Sequence, residues 1–537
     1  MGRMFCSGSV ALAAFLVSLG AASGQELRIG LSAEPSSMDP HYHYFVPNRA
    51  LHANIYEALT QMNEKQEVQP LLATSWKAVD ANTWQFKLRS DVKFSNGAAF
   101  TPRDVIFTLC RVPNVANSPG SFTISTRSIS AIEAIDAETL TIHTEGPDPL
   151  LPIELSTIAI ISADVNDAPK SITFDKQGCG LTAWPKTEDF DSGKIAIGTG
   201  PFRVKEFVKG DRIVLERNDA YRGEKPYWSR VTLRPITSAG PRVAALLAGD
   251  VDFIESPPVQ DLQRIRSAPN LAVAEAPSGL LIYLGINTAK EPAPGIDGTD
   301  GKNPLKDKRV RQALKAAIDR DAIVTRIIGG LGVAAAELLP TGMFGTNPDA
   351  KVEKADPQHA RKLLAEAGFP NGFKLLLGSP AERYPNDTAV AQAVAQLFSR
   401  IGVQTELETL PAAQYFPKAN RGGYSVWLTG WLADTGEVSS SLRSYVASPN
   451  KEKGFGAFNG GYSNAEVDRI LPEAVGTIDD AKRRELLQRA TATTIEDVGV
   501  IPLYFQAATW ALRKDLTFKG RSDARTVIND IKPAVSR

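Results

Sequence analysis

The spacing of apolar residues changes character once along the chain, after a polar loop at 291–304. Before that loop the apolar positions alternate with polar ones or gather in short runs, the signature of strands. Glu26–Leu31 reads as a first strand and Ala50–Leu59 as a short helix. Trp76–Val79 and Trp84–Leu88 form a hairpin around Asp80 to Asn82, and Ile129–Ile135 pairs with Thr139–His143. Between these pairs, Thr101, Pro102 and Asp104 mark a helix start, with a cap, a proline in the first turn and an early acid. Residues 164–194 are irregular, and a further hairpin occupies 198–219. Pro241–Ala248 is a helix stopped by Gly249, and Val251–Ile254 and Leu280–Ile286 are strands.

After the loop, helical spacing and apolar runs take turns. Val310, Ala313, Leu314, Ala317 and Ile318 predict one amphipathic helix over Asp307–Ile328. Asp356-Pro357 opens another helix. Then Phe373–Leu377, Asp387–Ile401, Val403–Leu410, a short helix over 412–420 and Tyr424–Leu428 read as β-α-β-α-β. Two crossover units of this kind build a parallel sheet, and ligands collect at the carboxyl ends of its strands. The loop after the first of these strands carries Arg383 and Tyr384, and the loop after the third carries Trp431 and Asp434. Two strand ends thus offer a cation, an anion and two aromatic rings. Each has an ordinary reading as well: a core indole, a helix-capping acid, a solvated guanidinium. Helices Asn464–Ile470 and Asp480–Thr494 follow. The final strands, Pro502–Gln506 and Thr509–Leu512, are expected to return to the first half of the fold.

Charge and composition narrow the function. Lys plus Arg and Asp plus Glu both number 60 in a chain of 537 residues, which supplies no basic field for nucleic acid or anionic lipid. Residues 1–24 have the form of a secretory leader: Arg3, an apolar run over Val10–Leu19, then small residues to Gly24. The run is too short to anchor in a bilayer, and cleavage is expected before Gln25. A soluble exported protein, most simply periplasmic, is implied. Cys110 and Cys179 then remain, and an oxidising compartment permits a disulfide; two buried free thiols are the alternative. His41 and His43 are a possible base or pair of metal ligands, but GxSxG, HExxH and zinc-spaced Cys/His sets are absent from the sequence.

The segments SMDPH (37–41), IYEAL (55–59), the stretch 70–109, GTGPFRVKEF (198–207), LLAGDVDFIE (246–255), the stretch 307–324 and GWLAD (430–434) together resemble the extracytoplasmic solute-binding proteins of peptide-type ABC importers, solute-binding family 5. The resemblance covers essentially the whole mature chain. It implies an α/β fold of two lobes that close over a ligand, the large peptide-binding class of the periplasmic binding proteins, with an extra subdomain. Lobe I would comprise 25–68, 191–281 and 500–537, the inserted subdomain 69–190, and lobe II 282–499. In peptide-binding members an Asp shortly after the GW pair binds the ligand ammonium, which points to Asp434, with Trp431 beside it. An Arg that holds the ligand carboxylate in dipeptide-binding members corresponds to Arg383, next to Tyr384. The family implies no catalysis, no cofactor, a monomer, and a membrane permease with its ATPase subunits as partners. Two other readings stand beside this one: a metal-chelate or haem carrier of the same fold, for which His41 would be a ligand, and a secreted hydrolase.

Overall fold

The computed structural model describes residues 25–166, 168–381, 383–433 and 435–534. The expected leader and Asp434 therefore lie outside the described residues. Among those described, eleven strands join in one sheet that runs through both lobes. Its strands used below are β1 (Glu26–Leu31), β2 (Leu271–Ile286), β3 (Phe373–Ala381), β4 (Val403–Pro411), β5 (Val426–Leu432) and β6 (Ile501–Arg513).

β2 and β6 are the spine. They pair antiparallel from Leu271↔Arg513 to Leu284↔Ile501, with breaks in register between Pro277 and Leu281 and between Ile282 and Tyr283. On one side of the spine the sheet continues through Phe253–Glu255, β1 and Arg230–Pro235. On the other it continues through β5, β3 and β4. β3 pairs parallel with both β4 and β5, as the crossover pattern predicts. A separate four-stranded antiparallel sheet holds the two early hairpins, Ala73–Asp80 with Thr83–Leu88 and Ile129–Ala134 with Thr139–Thr144.

Period-two alternation divides the lobe II sheet into two buried faces. Leu284, Leu377 and Leu428 pack against Leu314 and Val394 on one side. Leu281 and Tyr283 pack against Leu442, Tyr445 and Leu487 on the other. Both faces are covered by helices, which is why these strands read as continuous apolar runs.

Several elements differ from the sequence reading. The helix expected over Asp307–Ile328 is broken: Lys308–Ala317 ends where Ile318 becomes extended, and Asp319 caps a new turn by accepting the Ala322 N–H at 2.9 Å. A capping side chain competes with the helix backbone, and here it wins. The helix expected at Ala50–Leu59 is Val46–His52. The two final strands are one, β6, and β2 begins at Leu271 rather than Leu280. Long paired strands tolerate the Pro277 and Gly279 that look like breaks in a lone sequence, because the register shift absorbs them. β5 extends to Leu432, so Trp431 belongs to the ladder and not to the loop. Cys110 and Cys179 are disulfide-bonded, with Cα atoms 5.9 Å apart, which ties the helix Pro102–Arg111 to the irregular stretch.

Candidate ligand-binding site

The carboxyl end of β3 leads directly into the turn that carries Arg383 and Tyr384. Asp387, at the start of the helix Asp387–Arg400, folds this turn: its Oδ2 accepts the backbone N–H of Arg383 at 2.9 Å and of Tyr384 at 3.0 Å. The Tyr384 ring is buried, and burial pushes its phenol above the ordinary value. Its hydroxyl oxygen accepts the backbone N–H of Gly430 at 2.9 Å. A Cβ on residue 430 would lie 2.9 Å from the ring, so the glycine of the GW pair is what lets the ring approach. Arg383 lies over the outer face of that ring, 5.0 Å from its centroid. The guanidinium is exposed and, among the described residues, has no carboxylate partner.

Arg383 and Tyr384 face a cavity of about 890 Å³ between the lobes. Leu432 and Asn386 line it from the β3–β5 side of the spine, Ser32, Ser238 and Gln260 from the β1 side, and Ser278 and Gln506 from the spine itself. This is a size suited to a small ligand. Glu255 also borders it, but its carboxylate is engaged: one oxygen accepts from Ser32 N–H and Oγ, the other from Thr526 Oγ1 at 2.6 Å.

Trp431 does not share that cavity. It sits opposite Leu281 in the ladder, so its side chain leaves the opposite face of the sheet from Leu432. There it packs against Tyr445 and Phe458 at ring separations of 5.8 and 5.6 Å, with Nε1 donating to Ser440 Oγ at 3.3 Å. It borders a second cavity of about 540 Å³ within lobe II. The sequence reading placed Trp431, Arg383 and Tyr384 at one point. The extra residues of β5 separate them onto two faces of the same strand end. Beyond Asp434 the chain is held by a buried ion pair, Arg483 Nε to Glu437 Oε2 at 3.1 Å, with Ser439 Oγ on the other oxygen at 2.6 Å. The described residues on either side of Asp434 are thus anchored, by the β5 ladder and by Arg483.

His41 is not a ligand-facing residue. It is fully buried, which corrects its reading as a loop ligand. Arg111 donates to its Nδ1 at 2.9 Å, and its Nε2 lies 2.7 Å from the Ala159 carbonyl. Burial, together with Arg111, pushes the imidazole down to about 3, so the ring is neutral and Nε2 donates. Arg111 also forms a bidentate pair with buried Asp39 at 2.8 and 2.7 Å, and Thr187 donates to the same carboxylate. The DPH segment is a polar joint that ties the loop after β1 to the helix Pro102–Arg111 and to Ala159 and Thr187. His43 stacks on Phe45, 5.0 Å between centroids. Among the described residues no group of three His, Cys, Asp or Glu side chains is placed to hold a metal ion.

The residues that sequence reasoning missed are Phe416, Trp427 and Phe458, which border the second cavity with Trp431. The signal was present for one of them: Trp427 and Trp431 are four apart on a strand, hence on one face.

Comparison with known proteins now identifies the class. Residues 67–453 match the model of the bacterial extracellular solute-binding proteins, family 5, and the chain belongs to that family. The dipeptide-binding protein of Escherichia coli is 28% identical over 472 residues, 84% of this chain and 83% of that protein. The heme-binding protein A of Haemophilus influenzae is 28% identical over 474 residues, 84% of this chain and 81% of that protein. Among solved structures, HbpA2 from Haemophilus parasuis superimposes with a TM-score of 0.79 at 23% identity, covering 95% of this chain and all, 100%, of that one. The protein is therefore a two-lobed solute-binding protein of the peptide-importer family. Among the described residues no helix is long and apolar enough to cross a membrane.

Proposed function

We propose that this protein is the periplasmic component of an ABC importer. It captures a peptide, or a similarly small amine-bearing solute, between its lobes and delivers it to a permease driven by ATPase subunits. It acts as a monomer and catalyses nothing. The observation that carries the reading is Arg383: an exposed guanidinium in the inter-lobe cavity, propped on Tyr384 and without a carboxylate partner among the described residues. A guanidinium in such a place suits a carboxylate in bidentate fashion. Asp434, at the neighbouring strand end, is the counter-ion for the ammonium at the ligand's other end. A cation and an anion acting on opposite ends of one ligand select zwitterions. Because desolvating an ion pair costs several kcal/mol unless its geometry is good, such a site discriminates more than it attracts. The name of the Escherichia coli relative supports a dipeptide-sized ligand. The lobe boundaries implied by the resemblance place the hinge where β2 and β6 pass from one half of the sheet to the other.

Mass spectrometry of solute carried through purification, followed by calorimetry with that solute, tests the proposal. Asp434→Asn and Arg383→Gln are each expected to weaken binding at least about tenfold, ~1.4 kcal/mol, with melting of the ligand-free protein unchanged. Asn caps a helix about as well as Asp, so a purely structural Asp434 leaves affinity unchanged in that variant. Amino-terminal sequencing of periplasmic material is expected to begin at Gln25.

A further inference from the structure

Gln66 sits at the tip of a small hairpin, Thr60–Met62 with Val68–Pro70, that stands apart from the main sheet. The tip is tightly turned. The Gln66 N–H donates to the Asn63 carbonyl at 3.0 Å, and Asn63 Oδ1 accepts the N–H of Lys65 and of Glu67, both at 2.9 Å. Gln66 has a φ of 62°, in the left-handed region. Glycine takes that conformation without strain and is the usual residue at the left-handed position of such a hairpin loop. Here a long amide side chain stands in its place, 5% exposed, with Oε1 buried and without a hydrogen-bond partner among the described residues. The backbone strain and the unmatched acceptor both cost stability, and they persist only where surrounding contacts over-determine them.

Those contacts come from three segments. Gln66 Nε2 donates to the Ser522 carbonyl at 3.3 Å. The same carbonyl accepts the backbone N–H of Gly279 at 3.2 Å, its two lone pairs serving both donors. Gly279 lies in the register break of β2, where pairing with β6 is interrupted. Ser522 is gripped in turn by the hairpin tip: the Glu64 carbonyl accepts its N–H at 3.1 Å and its Oγ at 2.6 Å. On the other side, the loop after β5 presses on the turn itself. A Cβ on residue 436 would lie 2.4 Å from the Gln66 carbonyl oxygen, so only a glycine lets the two backbones approach. A Cβ on residue 279 would lie 3.2 Å from Gln66 Nε2 and 3.5 Å from the Ala433 carbonyl oxygen. Gln66 is therefore wedged between the break in the spine and the loop that follows β5. It does not itself border the inter-lobe cavity, whereas Ser278 and Leu280, either side of Gly279, and Leu432, next to Ala433, do.

We propose that Gln66 is a positioning residue for solute capture: the hairpin tip clasps the spine at its register break through Ser522, backs the loop after β5, and so sets both against the inter-lobe cavity. A strand whose ladder bonds are interrupted bends readily, and a side chain that fills the interruption limits how far it bends. The loop after β5 is set by the same residue, so the spine and the strand end move together or not at all. The inference rests on the proposed function, which gives the clasp its purpose, but the clasp is tested without solute.

Hydrogen exchange of the mature, full-length, ligand-free protein tests it in two variants. Gln66→Gly removes the side chain and also relieves the left-handed backbone, so the two effects oppose each other in melting. Gln66→Glu keeps the shape of the side chain and removes only the donor to Ser522. In both, exchange is expected to quicken at least about fivefold in 277–281 and 435–438, with β3 and β4 unchanged. Calorimetry with L-alanyl-L-alanine then reads capture, and both variants are expected to bind it at least about threefold more weakly than wild type, because the site must be ordered on binding. A residue that merely filled space would lower melting in Gln66→Gly and leave Gln66→Glu at wild-type values in both readouts. Unchanged exchange in both variants overturns the inference, and so does quickened exchange with unaltered affinity. Where the wild-type protein does not bind the dipeptide, the dipeptide form of the proposed function fails; quickened local exchange then still upholds the clasp, and unchanged exchange still overturns it.

Discussion

The hydroxyl of Tyr384 accepts the backbone N–H of Gly430 at 2.9 Å, and this bond joins the turn after β3 to the last residues of β5. The two strand ends that carry the candidate charges are therefore not independent. Arg383 is propped on the same ring. Tyr384→Phe removes the acceptor and leaves a partly buried N–H unmatched, at a cost of roughly 1–3 kcal/mol. Denaturant unfolding is expected to show a lowered midpoint with unchanged slope. Calorimetry is expected to show weaker ligand binding than that loss of stability explains, because the ring under Arg383 loses the bond that fixes it. Unaltered affinity would mean that the hydroxyl bond to Gly430 is not needed to hold the ring under Arg383.

His41 gives a pH dependence with a definite sign. Its folded value is about 3 and its unfolded value about 6.5, so between those limits the unfolded chain binds one more proton than the native one. Stability from this group is fully present above pH 6.5 and is lost as pH falls, by about 1.4 kcal/mol per pH unit. Other buried groups act alongside it. His52, at about 4 through burial, has the same sign. Glu437, raised by burial, has the opposite sign. A comparison isolates His41: Gln at that position can still accept from Arg111 and donate to Ala159, but does not titrate. The stability of His41→Gln is expected to fall less steeply between pH 6.5 and 4, by about one proton. Identical slopes would show that the imidazole is not the titrating group.

The disulfide closes a separation of 69 residues. In the chain-entropy model this stabilises by about 4 kcal/mol. Neither cysteine borders the inter-lobe cavity or the cavity beside Trp431. Reduction, or the Cys110→Ala, Cys179→Ala pair, is expected to lower the melting temperature by several degrees and leave affinity near wild type. An affinity loss exceeding twofold would couple the inserted region to capture.

Sequence periodicity located the parallel unit β3–β4–β5 and both of its loops, because two-sided burial imposes apolar runs that need no knowledge of the partner. It also placed Arg383 and Tyr384 correctly at a strand end. It did not foresee how far β5 runs. Thr429, Gly430 and Leu432 look like the start of a loop, yet pairing with Leu280–Tyr283 keeps them in the ladder. That pairing partner lies about 150 residues away, and local propensity carries no information about it. Separation along the chain also hid the role of His41. Its neighbours Arg111 and Ala159 lie 70 and 118 residues further along, and a short HxH segment alone cannot distinguish a buried joint from a surface ligand.

The last prediction concerns motion. β2 and β6 run through both halves of the sheet and pair along most of their length, but the register breaks between Pro277 and Leu281. A paired ribbon bends most easily where ladder bonds are missing. That break borders the inter-lobe cavity, since Ser278, Leu280 and Gln506 all line it. Ligand bound there touches both lobes and favours whichever arrangement brings both into contact, so it shifts the population toward closure. A single compact body of about 510 residues has a radius of gyration near 24 Å. Small-angle scattering is expected to give a larger value without ligand and one approaching it at saturation. Pro277→Gly, which loosens the ribbon without touching Arg383, is expected to widen the spread of ligand-free shapes and weaken affinity a few-fold, because closure must then order more chain. An unchanged radius at saturating ligand would show that capture proceeds in a cleft already closed, with β2 and β6 serving as a rigid spine.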